Sequence, residues 1–330
     1  MKRLAVPGRV LVGLFAAVLT YGQAPSRFEL LAKFRGLGGM YASTVGPGPA
    51  AGGERLYLSY LYLANTVDVV AVDPATGDAQ VFRNPAEGEH GARCMTVGPD
   101  GNIYLGTLPR AHFLKLDVKA GKLIDLGRPS KTEKFIWDVA FGADGKLYGG
   151  TYPGAKLLRY DPATGALEDL GRMDPTEHYA HYVAGSDDGF MYAGIGYSRA
   201  NITAYEIATG KHRGILPAGA QVTGQAVVYR GTDGKVYGSI AGRYFRLSGW
   251  IATPVSEAEA QRRAANRLRD GRTVEVRGNT LRVHNPKTGA SETRTFSYEG
   301  NSLPLLKSPV GMHGCSAPTR PQRPATVSMS

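Results

Sequence analysis

Cysteine is nearly absent, with Cys94 and Cys315 the two thiols in 330 residues. Two thiols cannot build a disulfide framework, and no His, Cys, Asp or Glu spacing matches a zinc site. Cys94 lies in the apolar run CMTV and reads as a small core residue; a single Cys94–Cys315 bridge is the other reading. Tryptophan is also scarce, at two residues. After residue 24 no apolar run approaches the ~20 residues of a membrane-spanning helix. No Lys/Arg block has nucleic-acid-motif spacing. A membrane span in the mature chain and a nucleic-acid partner are therefore set aside, and the residues themselves call for no cofactor.

Turn chemistry is abundant, with 44 Gly and 20 Pro. It is also periodic. Asp-Gly pairs stand at Asp100, Asp144, Asp188 and Asp233, at steps of 44, 44 and 45, each followed by a tyrosine: Tyr104, Tyr148, Tyr192 and Tyr237. A second turn, Asp-Pro-Ala-Thr-Gly or a variant of it, begins at Asp73, Asp117, Asp161 and Glu206, at the same steps. Two markers keeping one period of this length, with several short strands per period, are the signature of propeller blades. The pattern predicts an all-β chain: a β-propeller of about five four-stranded blades plus a stub, with one inserted helix. The Asp-Gly pairs read as hairpin turns and the five-residue loops as type I turns closed by a left-handed glycine, not as sites.

The chain divides accordingly. Residues 1–24 carry Lys2, Arg3 and Arg9, an apolar run from Val10 to Leu19 and small residues before a cut after Ala24, which predicts a signal peptide and a secreted or periplasmic protein. Residues 25–53 are a Gly/Pro-rich lead-in and 54–300 the propeller. Within it, 250–271 is read as a helical insertion, because Ser256 and Glu259 form a capping box and Gly271 follows the run. Residues 301–330 lack any strand pattern and read as a disordered tail. The net charge of +11 favours an anionic partner, either a small molecule or a polysaccharide.

The period also maps the candidate site. Stepping by 44 along the start of each inner strand picks out Arg93, Trp137, His181 and Gln225, which should meet at the mouth of a central channel. The same step through the preceding loops picks out Glu89, Glu133, Glu177 and Gln221. The loops between the second and third strands add Tyr62, Arg110, His112, Tyr152, Tyr197, Arg199 and Arg243. Arginine supplies forked donors for carboxylate or sulfate, and aromatic faces stack on sugars or flat ligands. His181 is the general-base candidate. Each has a plainer reading beside it: Trp137 as inter-blade core, and the glutamates as acceptors for loop amides.

The Gly-x-Asp-Gly-x-(Leu/Ile)-Tyr-x-Gly and Asp-Pro-Ala-Thr-Gly repeats resemble bacterial secreted propellers of the streptogramin-lyase-like and quinoprotein-like kind over about residues 54–300. The first resemblance implies a seven-bladed fold, a catalytic histidine and a magnesium ion. The second implies a tryptophan after each Thr-Gly turn, where this chain has Leu126-Gly127 and Leu170-Gly171. Two functions follow as expectations: a secreted propeller binding an anionic, carbohydrate-like ligand on its channel face, or a lyase or hydrolase using His181 as base.

Overall fold

The computed structural model describes residues 40–60, 67–84, 86, 88–264 and 266–296. The signal segment, Tyr62, Cys315 and the tail lie outside the described residues. Blade one is β1 (Met40–Pro47), β2 (Glu54–Tyr60), β3 (Val67–Val72) and β4 (Ala79–Asn84). Blade two is β5 (Gly91–Val97), β6 (Ile103–Leu108), β7 (Phe113–Asp117) and β8 (Lys122–Gly127). Blade three is β9 (Phe135–Phe141), β10 (Leu147–Tyr152), β11 (Lys156–Tyr160) and β12 (Leu167–Arg172). Blade four is β13 (Tyr179–Gly185), β14 (Phe190–Tyr197), β15 (Asn201–Glu206) and β16 (His212–Gly214), with β17 (Gly224–Gln225) pairing back onto β14. Blade five is β18 (Val227–Arg230), β19 (Val236–Ile240), β20 (Arg243–Ser248) and β21 (Ile251–Val255), and a sixth sheet holds β22 (Thr273–Arg277), β23 (Thr280–His284) and β24 (Ser291–Thr295).

Every sheet is an antiparallel meander. The innermost strands β1, β5, β9, β13 and β18 contact one another in sequence, which arranges the sheets around an axis as a β-propeller.

The repeated residues are structural. In three blades the Asp of the Asp-Gly turn receives a backbone N–H from two residues on and the hydroxyl of the following tyrosine. These hydroxyl bonds run from Tyr104 to Asp100 at 2.9 Å, Tyr148 to Asp144 at 2.8 Å and Tyr237 to Asp233 at 2.9 Å. A Cβ on Gly98, Gly142 or Gly231 would meet that tyrosine ring at 2.5, 2.8 or 2.6 Å, so the first glycine of the repeat leaves room for the ring. In blade four Ser186 takes that place and Asp188 turns to the Gly249 amide instead.

Three expectations are corrected. The chain does not stop at five blades and a stub: the TVEVR and TLRVH strands form a sixth sheet, while blade five is complete at Val255. The valines and leucine of the sixth sheet join blade one in a common core of Leu56, Leu58, Val70, Val274, Leu281 and Val283. Asn266 Nδ2 donates to Ser43 Oγ at 2.8 Å, and the Arg269 amide donates to Glu54 at 3.0 Å. The sixth and first sheets thus join by packing and side-chain bonds.

The inserted helix does not form. The capping pair does, with Ser256 N donating to Glu259 Oε2 at 3.0 Å and Glu259 N to Ser256 Oγ at 3.3 Å. Beyond that turn the backbone spends its groups on neighbouring sheets: Gly231 bridges Arg262, Arg267 bridges Thr273, and the Val274 amide donates to Asn266 O. The stretch 266–268 lies where the innermost strand of the sixth sheet would be, and these tertiary bonds outweigh a modest helical propensity. Finally, the propeller begins at Met40 rather than Glu54, because β1 buries Ala42 and Ser43.

Candidate functional site

Each inner strand of blades two to four carries a β-bulge at one position. The register shifts between Ala92 and Cys94, around Trp137 between Ile136 and Asp138, and between Ala180 and Tyr182. The extra residues are Arg93, Trp137 and His181. A bulge breaks the in–out alternation and re-aims the side chain it carries, and here it aims three neighbouring strands at one place. The Arg93 guanidinium lies over the Trp137 ring, 4.6 Å from its centroid. The Trp137 and His181 rings meet edge-to-face at 4.3 Å. Gln225 arrives differently. It lies eight residues before Asp233, where its counterparts lie seven before theirs, so it precedes the blade-five ladder and pairs with Gly196 of β14. From there its side chain comes close enough to His181 to favour the protonated imidazole.

An aromatic run extends from this quartet. Tyr152 stacks on Tyr179 at 4.7 Å and tilts against Phe135 at 5.5 Å. Phe135 meets Trp137 at 5.4 Å, and Tyr197, 57% exposed, lies 6.3 Å from Tyr179. Most of these rings are half-buried. Phe135 and Tyr179 were missed by the sequence reading, although the same step relates them, two residues before Trp137 and His181.

The remaining arginines are turned to other work. Arg243 donates to Gly219 O at 3.0 Å and Ala220 O at 2.9 Å. Arg199 pairs with the buried Asp174 at 3.8 Å. Arg110 lies over the turn at Gly88, whose added Cβ would meet its Cζ at 2.5 Å. His112 pairs with Asp125 at 3.1 Å.

The glutamates are loop anchors. Buried Glu133 accepts from the Thr151 hydroxyl at 2.7 Å and the Gly154 amide at 2.8 Å. Buried Glu177 accepts from the amides of Tyr197, Ser198 (3.0 Å) and Arg199 (2.7 Å). Burial pushes the Glu89 carboxyl above the usual range, against the pull of Thr107, His112 and Arg110. Cys94 is a core residue, its Sγ 3.6 Å from Ile136 O.

His181 is neutral at physiological pH. Burial pushes its pKa down to about 4; the nearby Gln225 side chain opposes this and the Arg93 charge adds to it. Its Nδ1 has no hydrogen-bond partner among the described residues. The folded state holds the proton less well than the unfolded chain does, so stability is lost as pH falls from about 6.5 to about 4 and the loss is complete below that. A shift of this size corresponds to about 3 kcal/mol. Chemical denaturation at pH 7 and pH 4 should therefore show a smaller drop for His181→Gln than for the wild type; an equal drop would refute the assignment.

The lyase resemblance implies a magnesium ion, which would need several carboxylate or imidazole donors in one place. Among the described residues no group of three or more His, Cys, Asp or Glu is placed to hold an ion, and Glu133 and Glu177 spend their oxygens on hydroxyls and amides. These residues do not fit the metal. A separate groove of about 530 Å³ lies at the rim of blade five between Pro217, Tyr244 and Val255 and includes none of the quartet.

No protein-family model matches the sequence, and no curated protein does. Solved structures do. Virginiamycin B lyase from Staphylococcus aureus is 11% identical, with a TM-score of 0.50 over 79% of this chain and 86% of the other. A catalytically inactive histidine-to-alanine form of that lyase with quinupristin is 13% identical, with a TM-score of 0.53 over 81% and 87%. The chain shares a streptogramin-lyase-like propeller fold with them, and at these identities the likeness reaches the fold alone.

Proposed function

We propose that this chain is an exported propeller that binds an anionic, ring-bearing ligand, such as a uronic-acid oligosaccharide, on the channel face at Arg93, Trp137, His181 and Gln225. The observation that carries this reading is the guanidinium held over Trp137 at the end of a continuous run of partly exposed rings. Ring faces offer stacking surfaces, an arginine attracts a carboxylate or sulfate, and a neutral imidazole with an unpartnered Nδ1 offers a hydrogen bond without adding charge. Titration calorimetry with short uronic-acid oligosaccharides should show affinity falling about tenfold or more in Trp137→Ala, as expected for losing a stacking anchor worth ~1.5–2 kcal/mol. Unchanged affinity would remove the site.

The lyase reading is supported by the unpartnered Nδ1 of the neutral His181. A base of pKa about 4 is a weak proton acceptor at neutral pH, however, since efficiency is greatest when the catalytic pKa lies near the working pH. Binding is therefore preferred. Turnover of uronic-acid polymers or cyclic depsipeptides that disappears in His181→Ala would reverse that preference.

A further inference from the structure

Blades one to four are apolar on both faces, and core clusters join each to the next, the last of them reaching blade five. The sixth sheet is built otherwise. Cross-strand partners in an antiparallel sheet share a face. The pairs Glu275–Arg282, Arg277–Thr280 and Thr273–His284, with Arg267 bridging Thr273, therefore lie on one side. That side has no apolar residue; the other, with Val274, Leu281 and Val283, is the one buried on blade one. The polar face is thus turned along the ring toward blade five, yet no core cluster among the described residues joins the two. Blade five's own flank is covered at its inner strands by Ala260, which packs with Val227, Tyr229 and Tyr237. Arg267, Arg277 and Arg282 are exposed. Residues 262–294 carry nine Arg/Lys against three Asp/Glu, more than half of the chain's net charge of +11.

We propose that the open, arginine-bearing face of the sixth sheet is a docking surface for an acidic polysaccharide. Several guanidinium forks on a flat sheet suit a polymer that repeats carboxylates or sulfates, because each fork takes one anionic group in a bidentate bond. The face is flanked by blade five, so a single flexible chain reaches it where a planar lipid surface does not. A second copy of this chain would bring a like charge to it. The surface is separate from the channel-face quartet and stands whether or not that site binds.

The test is retention of the full chain by polygalacturonate in affinity electrophoresis at low and moderate salt. The wild type should be retained, less so as salt rises. In the Trp137→Ala background, where the channel-face quartet is impaired, adding Arg277→Ser/Arg282→Ser should lower the affinity at least tenfold further with no further change in melting temperature, since both side chains are exposed. Equal retention with and without that pair of substitutions would overturn the proposal. So would tighter binding of the wild type to anionic phospholipid vesicles or duplex DNA than to the polymer, or a wild-type dimer by light scattering that dissociates in the double variant.

Discussion

Replacing Glu177 by alanine should cost about 3–5 kcal/mol of stability, since it removes three charge-assisted hydrogen bonds worth roughly 1–2 kcal/mol each. The carboxylate is 4% exposed and accepts the amides of Tyr197, Ser198 and Arg199. Alanine would leave those donors, at the end of β14 and in the turn that follows it, without their acceptor, and an unmade bond costs more than a made one contributes. At 2–4 °C per kcal/mol for a domain of this size, the melting temperature should drop by roughly 6–20 °C. Glu177→Gln keeps an acceptor oxygen and should lie between the two. Tyr197, whose amide Glu177 accepts, belongs to the aromatic run, so ligand affinity should fall with stability in Glu177→Ala. A melting point within 2 °C of wild type would show that water substitutes freely for the carboxylate and that the buried anchor is not what holds the loop.

The second large effect is expected from a single methyl group. Gly106, Gly150 and Gly194 stand in step on the second strands of blades two to four. A Cβ at Gly194 would come within 2.2 Å of Ala226 O, and one at Gly150 within 2.4 Å of Ala180 O. Both obstacles are backbone atoms of the following blade, Ala180 in β13 and Ala226 just before β18, so no side chain can swing aside. Gly194→Ala should therefore push blades four and five apart and destabilise by about 3 kcal/mol, at the upper end of overpacking penalties. Gly165→Ala is the contrast. That residue has a φ of +76° and open space around it, so alanine there meets only backbone strain, about 1 kcal/mol. Equal melting temperatures for the two variants would show that the blades can separate at no cost.

The recurring residues reported faithfully because each is tied to local geometry. An Asp-Gly turn followed by a tyrosine closes its own hydrogen bonds within a few residues, so its presence in the chain is nearly its presence in the fold. The same regularity let a fixed step pick out Arg93, Trp137 and His181, because rotational repetition carries equal positions to neighbouring places around one axis. The strands of the sixth sheet are legible in the sequence, with Asn285-Pro-Lys-Thr-Gly289 repeating the blade turn, but a helix read at 250–271 makes them look like the rest of blade five rather than a sheet of their own. The capping pair at Ser256 and Glu259 is a true local signal, but a cap starts a helix only if the following backbone has no better partners.

What the chain order determined alone was therefore the sheet class, the period, the turns and the convergence of three bulged positions. Only the tertiary structure decided how the ring meets itself, which arginines are spent on loop carbonyls and carboxylates, and that His181 is neutral. The reason is physical. Turns and strand pairing between neighbours are short-range and written in nearby residues. Charge state, closure and the use of a long side chain depend on what distant segments bring within a few ångströms.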